Sequence, residues 1–179
     1  MLGSGRKVQV DGEAVTRLGD FMGRFPVVPM SSGDLMILRG SPADRRRFLD
    51  LVLASVDGEY YQSLRHYHRA VAERNRLLKN KGGAAEFAAF EVEIARYGLK
   101  VGALRQAGLG ALRSALLGVY ADIAEKDEGP ELESRPNLSV NSLEDYRKVL
   151  HDSRSRDALI GSTQKGPHRD DFNLSLQIG

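Results

Sequence analysis

Two stripes of mainly apolar residues, separated by a glycine pair, constrain the fold of this chain more than any other feature. The first stripe is Tyr61, Leu64, His68, Val71, Asn75 and Leu78, and the second is Phe87, Phe90, Ile94, Tyr97, Val101 and Leu104. Their alternating spacing of three and four residues is the a/d seam of a heptad repeat. The segment 80–83, Asn-Lys-Gly-Gly, should end the first helix. The sequence therefore predicts an antiparallel helical hairpin whose first arm is roughly 35 Å long.

The stripes alone do not separate a short coiled coil from an ordinary helix-bundle core. Asn75 at a seam position favours the coiled coil, because one polar seam residue fixes the register of paired helices. After Leu104 the stripe moves by five residues to Leu109 and then continues to Ile123. The glycines around this shift are Gly102, Gly108 and Gly110. We therefore expect the arm to end there and the helix to pack against a globular base.

Strand patterns precede the helices. Residues 7–10 alternate in polarity, the Asp-Gly pair at 11–12 is a strong turn signal, and residues 13–15 are suited to return as a hairpin. The apolar run 25–30 carries two prolines, so it should lie at a sheet edge or end early. A further apolar run at 34–38 continues the strand character of the first forty residues.

Mixed patterns follow the helices. Residues 138–140 are a candidate strand, and the Ser-Leu-Glu-Asp segment 142–145 predicts the start of a helix that runs to about Ile160. Residues 172–178 alternate strictly and give the clearest strand prediction of the chain. Because no capping element or polar tail protects the edge of that strand, we expect a cut through a larger fold.

These patterns predict an α+β fold in which an antiparallel helical hairpin and further helices lie on a partial β base. The expected divisions are strands in 1–40, a helical arm in 41–127 with its turn near 80–83, a linker, strand and return helix in 128–161, and a corner and strand in 162–179.

Composition excludes several classes of protein. The chain has no cysteine, so disulfides, thiolate zinc sites and cysteine nucleophiles are absent, as suits a reducing cytoplasm. The net charge of +2 means that an anionic partner must meet a local cluster of cations. No run approaches the ~20 apolar residues of a membrane span, and no signal-peptide pattern opens the sequence. We expect a cytoplasmic protein without a membrane partner.

The first candidate site is a run of three arginines, Arg45, Arg46 and Arg47, near the start of a helix. Ser41 is the predicted N-cap of this helix and Asp44 follows three residues later. Because the helix dipole disfavours cations in the first turns, the run suggests a nearby anion: a nucleotide phosphate, the DNA backbone or an acidic patch. The alternative is a solvated face with internal pairs, which is the commoner outcome for an isolated charge run.

The second candidate site is the corner that precedes the last predicted strand. Its residues are Gly166, Pro167, His168, Arg169, Asp170 and Asp171. A metal site is weakly supported because no other ligand group has recognisable spacing, and no nucleophile of a known pattern is present. We therefore predict no catalytic residue and no metal ligand. The corner either presents its cations to phosphate or to a facing subunit, or serves as a hydrogen-bonded corner.

A helical hairpin returns the chain to where it left. The arginine run and the corner should therefore share the base of the hairpin, and this shared base requires Arg46 and His168 to lie near each other.

The order of several motifs resembles the bacterial RecF family of recombination and repair proteins. The motifs are Asp34-Leu35, Gly40-Ser41-Pro42, the segment 45–50 Arg-Arg-Arg-Phe-Leu-Asp, Tyr60 through Leu64 with Tyr67, the segment 73–79 Glu-Arg-Asn-Arg-Leu-Leu-Lys, Thr163, and the corner 166–171. They are specific together and span nearly the whole chain in the family's order.

The resemblance implies an ABC-type ATPase related to SMC proteins, with a head, a helical arm, and ATP and Mg²⁺ as cofactors of the parent protein. It implies an ATP-dependent homodimer that acts on DNA at gaps and at junctions of single and double strands. RecR and RecO are the implied partners in loading RecA. Replication, recombination and the SOS response are the implied processes.

Only the middle of the family's sequence is matched. The phosphate-binding loop is expected before residue 1, and the signature and Walker B segments after residue 179. We therefore expect no bound ATP and no hydrolysis by this fragment. Asp34 falls in the loop that senses the nucleotide's metal in ABC ATPases, although 30–33 depart from the family's aromatic, proline and acidic residues. The alternative function is a helical-hairpin adaptor that binds protein and no nucleic acid.

Overall fold

The structure, a computed structural model, describes residues 9–15, 32–126 and 128–177. Its first elements are two short antiparallel strands, β1 (Gln9–Val10) and β2 (Glu13–Ala14). Asp11 and Gly12 join them with positive φ angles of 53° and 86°, which confirms the predicted Asp-Gly turn. The predicted edge strand at 25–30 lies outside the described residues.

The apolar run at 34–38 is helical, so the prediction of strand character there is wrong. A 3₁₀ turn at Ser32–Leu35 leads into a one-turn helix, α1 (Met36–Arg39). Leu35, Met36 and Leu38 remain about half exposed. The sequence misleads because a short apolar run has no periodicity that separates a strand from a single helical turn.

Helix α2 (Pro42–Val56) begins as predicted. Ser41 is its N-cap and forms a capping box with Asp44, whose carboxylate accepts from the Ser41 backbone N–H at 2.8 Å. Asp57 then caps helix α3 (Gly58–Asn80) by accepting from the backbone N–H groups of Glu59 and Tyr60.

The hairpin turn lies where it was predicted. Helix α3 ends at Asn80 and is followed by its C-cap Lys81, whose φ of 53° is left-handed, and helix α4 (Ala84–Ile123) begins after Gly83. The side chain of Glu86 accepts from the Gly83 backbone N–H at 2.9 Å. Leu77, Leu78 and Phe87 form a small hydrophobic cluster at this tip.

The buried face of α3 differs in part from the predicted stripe. Val71 and Leu78 are buried as predicted. The other buried residues each lie one position before a predicted one, and they are Tyr60, Ser63, Tyr67, Ala70, Arg74 and Leu77. His68 is exposed, and Asn75 accepts hydrogen bonds from Thr163 instead of setting the register against α4. The prediction fails at the other positions because polar and aromatic side chains occupy the true seam and satisfy their polar atoms internally.

Helix α4 is continuous over 40 residues. Phe87, Ile94 and Val101 are buried as predicted, whereas the intervening positions of the seam hold Glu91, Gly98 and Arg105. The burial weakens after Leu109, and Val119 and Ile123 are 59% and 75% exposed. The helix therefore continues without a break past the expected end of the arm, and what changes there is the extent to which its residues are buried.

The remaining elements complete the base. Strand β3 (Glu131–Arg135) is followed by helices α5 (Leu143–Asp152) and α6 (Arg154–Ile160), a 3₁₀ turn at Pro167–Arg169, and strand β4 (Asp171–Ser175). Strands β3 and β4 pair antiparallel, with Arg135 opposite Asp171. The prediction of a strand at 138–140 is wrong. The strand in this region is β3, which lies in the segment that was interpreted as a linker. Two small antiparallel sheets beside these helices confirm the α+β class.

One cluster of buried residues unites α2, α3, α4, α5 and β4 into a core that includes Leu53, Tyr67, Ile94, Tyr146 and Phe172. Among the described helices, none has the length and apolar character needed to cross a bilayer.

Candidate functional site

The first predicted arginine is bonded to the last strand. Arg45 donates from Nε and Nη2 to the two carboxylate oxygens of Asp171 at 2.8 Å each, and from Nη1 to the Gly40 carbonyl at 2.9 Å. The mutual hydrogen bonds raise the pKa of Arg45 and lower the pKa of Asp171. Because all three guanidinium nitrogens are bonded within the chain, Arg45 joins α2 to β4.

Arg46 and Arg47 form fewer hydrogen bonds within the described part of the chain than Arg45 does. Arg46 donates from Nη1 to the backbone carbonyl of Asp170 at 2.7 Å, and the described residues place no carboxylate within ion-pair distance of it. Burial, followed by the neighbouring charge of Arg105, lowers the pKa of Arg46, and Arg169 acts in the same direction. Arg47 is exposed. The carboxylates of Asp171 and Asp50 act in the opposite direction but do not reverse the shift, so an external anion would further stabilise the Arg46 cation.

A buried arginine from α4 organises the base of the hairpin. Arg105 donates to the Tyr60 hydroxyl at 2.9 Å, to Asp50 Oδ1 at 2.7 Å and to the Pro167 carbonyl at 2.6 Å. Its Nη1 also lies 3.3 Å from Asp170 Oδ2. Burial alone would lower the pKa of Arg105, but Asp50 and Tyr60 outweigh it and the net direction is upward. This one side chain thus connects α2, α3, α4 and the corner.

His168 is held in one tautomer by partners within the chain. Its Nε2 lies 2.9 Å from the carbonyl of Thr163, which can only accept, so Nε2 carries the proton. Its Nδ1, 2.6 Å from the Tyr67 hydroxyl, therefore accepts from that group. Burial lowers the pKa of His168 to about 4, and the Thr163 carbonyl offsets this only in part. The imidazole is neutral at pH 7 and positions the corner against α3.

The glycine of the corner has a conformation and a space that exclude side chains. Gly166 has a φ of 128°, and a β-carbon there would overlap the hydroxyl oxygens of Tyr146 and Tyr67. Its backbone N–H donates to Asn137 Oδ1 at 3.0 Å. The corner is therefore clamped by groups from α3, α5 and the loop after β3.

A second buried arginine lies farther along the arm. Arg74 is fully buried and donates to Asp157 Oδ2 at 2.7 Å, to Glu91 Oε1 at 3.1 Å and to the Leu150 carbonyl at 2.7 Å. Arg74 Nη1, which donates to Asp157, also donates to the Thr163 hydroxyl at 2.9 Å. Arg74 therefore joins both arms of the hairpin to α5 and α6.

The structure brings together most of the predicted site residues. Arg46 lies within hydrogen-bonding distance of Asp170 and lines the same groove as His168, as the shared base required. Arg169 is the exposed member of the corner, whereas Gly166 and Pro167 are buried. Asp34 lies in the first 3₁₀ turn, and its side chain is outside the described part.

Sequence reasoning missed the roles of Arg105 and Arg74. Both occupy seam positions, which are normally apolar, and that placement is the signal that would have found them. Among the described residues, no group of three or more histidines and carboxylates is arranged to hold a metal ion.

We expect acid to weaken the fold through His168. Its folded pKa of about 4 lies below the unfolded value of about 6.5, so the unfolded chain binds more protons between these values. The contribution of His168 to the free energy of unfolding is therefore fully present above pH 6.5 and decreases as the pH drops toward 4, by about 2 to 3 kcal/mol.

Urea denaturation at several pH values between 5 and 7 measures this effect. A His168→Gln variant keeps an acceptor and a donor but does not titrate, so its stability should change less with pH. If the free energy of unfolding of His168→Gln depended on pH as strongly as that of the unchanged chain, His168 would not be the source of the effect.

Comparisons with known proteins were made on the sequence and on the fold. No family model matches the chain. The DNA replication and repair protein RecF of Clostridium perfringens (strain SM101) is 31% identical over 182 residues, covering 98% of this chain and 50% of that protein. RecF of Chlamydia caviae is 32% identical over 177 residues, covering 96% of this chain and 48% of the relative.

Two solved structures are similar throughout the chain. The recombination mediator protein "RecF-ATPrS in RecFOR pathway" matches with a TM-score of 0.87 at 26% identity, over 98% of this chain and 50% of that one. "RecF-ATP in RecFOR pathway" matches with a TM-score of 0.84 at 26% identity, over 96% and 48%. The chain thus spans about half the length of the relatives it matches.

Proposed function

We propose that this chain, which is similar to RecF proteins over nearly its whole length, forms the arm-bearing, DNA-contacting part of an ATP-dependent protein of recombinational repair. The observation that carries the proposal is the cation cluster of Arg46, Arg47 and Arg169 at the base of the hairpin. Arg47 and Arg169 are exposed, and Arg46 has a backbone carbonyl as its partner. Phosphate oxygens are suitable partners for such guanidinium groups.

Nucleotide and protein partners belong to the same proposal. The two similar solved structures are described as RecF-ATPrS and RecF-ATP in the RecFOR pathway. They support ATP as the nucleotide of the whole protein and RecO and RecR as its partners. We propose Mg²⁺ and a second copy in addition, on the resemblance alone. Gapped DNA is the proposed nucleic acid. The buried network of Arg105 supports this role by fixing the corner that presents Arg169.

Salt dependence tests the DNA contact. Binding of the chain to a fluorescently labelled gapped duplex should weaken steeply as salt rises, because each phosphate contact adds about 0.9 to the slope of log K against log salt. The double substitution Arg47→Ala with Arg169→Ala should reduce that slope by about 2. Fluorescence anisotropy over a salt series measures it.

Arg156→Ala is the matched control, because Arg156 is exposed on α6 and forms no part of the cluster. An equal loss in this control would assign the affinity to general charge. A chain without DNA affinity at any ionic strength would instead favour the adaptor function, for which the exposed Val119 and Ile123 at the end of α4 are suited.

A further inference from the structure

A groove between α2 and α3 combines apolar walls with a cationic end. Its cavity measures about 450 Å³. Leu51, Ala54 and Leu64 line the apolar part, Arg46 and Arg47 line the cationic part, and the neutral His168 also lines the groove. The groove lies beside the corner, and the DNA contact proposed above does not use its apolar walls.

The charge of the groove is positive. Three arginines line it, but Arg105 is paired with Asp50 and Asp170, so Arg46 and Arg47 supply the positive charge. The Asp50 carboxylate is already bonded by Arg105 Nη2 at 2.7 Å and by the Tyr60 hydroxyl. His168 adds no negative charge, since it is neutral at pH 7. An occupant of this groove must therefore bring anionic groups.

The apolar part of the groove is open to water. Leu51 is 62% exposed, although Ala54 behind it on α2 is 6% exposed and belongs to the core. An exposed leucine above a core-lined wall gains by contact with another apolar side chain. An occupant must therefore also bring an apolar group of side-chain size.

We infer that this groove binds an acidic segment of a partner protein, with an aliphatic or aromatic side chain on Leu51 and Leu64 and a carboxylate on Arg46 and Arg47. A segment with spaced apolar anchors in an apolar groove is a recurrent mode of peptide recognition. The charge complementarity described above selects acidic over basic segments. This protein-binding surface goes beyond the proposed DNA contact, with which it shares Arg46 and Arg47.

The walls favour a peptide over a nucleic-acid base. Binding of an unpaired base uses the open face of an aromatic ring or a guanidinium plane. Here the apolar wall is aliphatic at Leu51 and Leu64, and Tyr61 packs partly against the core. His68 and the guanidinium groups of Arg46 and Arg47 also line the groove, so an oligonucleotide belongs among the probes of the test. Aliphatic surface is instead complementary to apolar side chains.

Titration of the full chain with a short fluorescent peptide tests the inference. The probe is rich in glutamate and carries two leucines four positions apart, and the control peptide has serine in place of the leucines. Leu51→Gln should weaken binding of the leucine peptide about tenfold, equivalent to about 1.4 kcal/mol. Leu117→Gln is the matched control, since Leu117 is 43% exposed on α4 and lies outside the groove.

Three readouts decide the outcome. Equal affinity of the two peptides, or no loss in Leu51→Gln, would overturn the inference. An oligothymidylate that binds with the same dependence on Leu51 would assign the groove to nucleic acid. A self-association by light scattering that Leu51→Gln abolishes would assign it to a second copy. Gapped-duplex binding should persist in Leu51→Gln, which separates this inference from the DNA contact.

Discussion

The substitution Arg74→Met is expected to cost about 3 to 5 kcal/mol of unfolding free energy, the largest loss from a single change in the arm. Arg74 is 0% exposed, and its guanidinium is paired with Glu91 and Asp157, which are 2% and 0% exposed. Methionine fills much of the same volume but leaves both carboxylates without this cation. Arg154 still pairs with Glu91, at 2.6 Å, so Asp157 carries most of the penalty. Urea denaturation followed by circular dichroism measures the loss.

Arg76→Met on the same helix is the matched control. The Arg76 side chain is 61% exposed and pairs with Glu73 three residues away, so its loss should stay below about 0.5 kcal/mol. The double variant Arg74→Met with Asp157→Leu should lose less than the sum of its single changes, because it removes the orphaned charge. Equal losses in Arg74→Met and Arg76→Met would refute the role of the buried network.

The second large effect is expected at the corner, where Gly166→Ala should destabilise the chain by about 3 kcal/mol or more. A non-glycine residue at a φ of 128° stores about 1 to 3 kcal/mol of backbone strain. Its β-carbon also meets the hydroxyl oxygens of Tyr146 and Tyr67, both of which are buried, and such overpacking costs a similar amount. Thermal unfolding of the two proteins measures the difference.

Gly110→Ala provides the opposite result in the same experiment. Gly110 lies inside α4, and a β-carbon there meets nothing within 4 Å. This change should stabilise the chain by about 0.5 to 1 kcal/mol. Adding Tyr146→Phe to Gly166→Ala should restore part of the lost stability, since it removes one of the two overlapping oxygens. If Gly166→Ala unfolded at the same temperature as the unchanged chain, the two tyrosines would not confine the corner.

Local chemical signals predicted the boundaries of the elements well. Ser41 with Asp44 marks the start of α2, the glycines at 82–83 mark the turn of the hairpin, and Ser142 caps α5. Each of these features depends on hydrogen bonds or backbone angles within a few residues. The sequence therefore carries the information for them locally.

The interior of the arm was less predictable because it is polar. Hydrophobic spacing predicted the burial of Val71 and Leu78 but missed the buried positions that precede the other predicted residues, since Arg74 and Ser63 are among them. Their burial depends on partners far along the chain, as with Arg74 and Asp157, 83 residues apart. Such pairs leave no periodic trace. The same reason applies to Arg45, whose partner Asp171 lies 126 residues away.

The unbroken α4 couples two places that would otherwise be independent. Glu91 near the tip and Arg105 at the base project from one rigid rod, roughly 21 Å apart at 1.5 Å per residue. Each is locked to a different set of neighbours, Arg74 and Arg154 at one level, and Asp50 and Pro167 at the other. The continuous helix therefore fixes the distance between these two sets of neighbours, and with it the position of the turn that carries Arg169 relative to the tip.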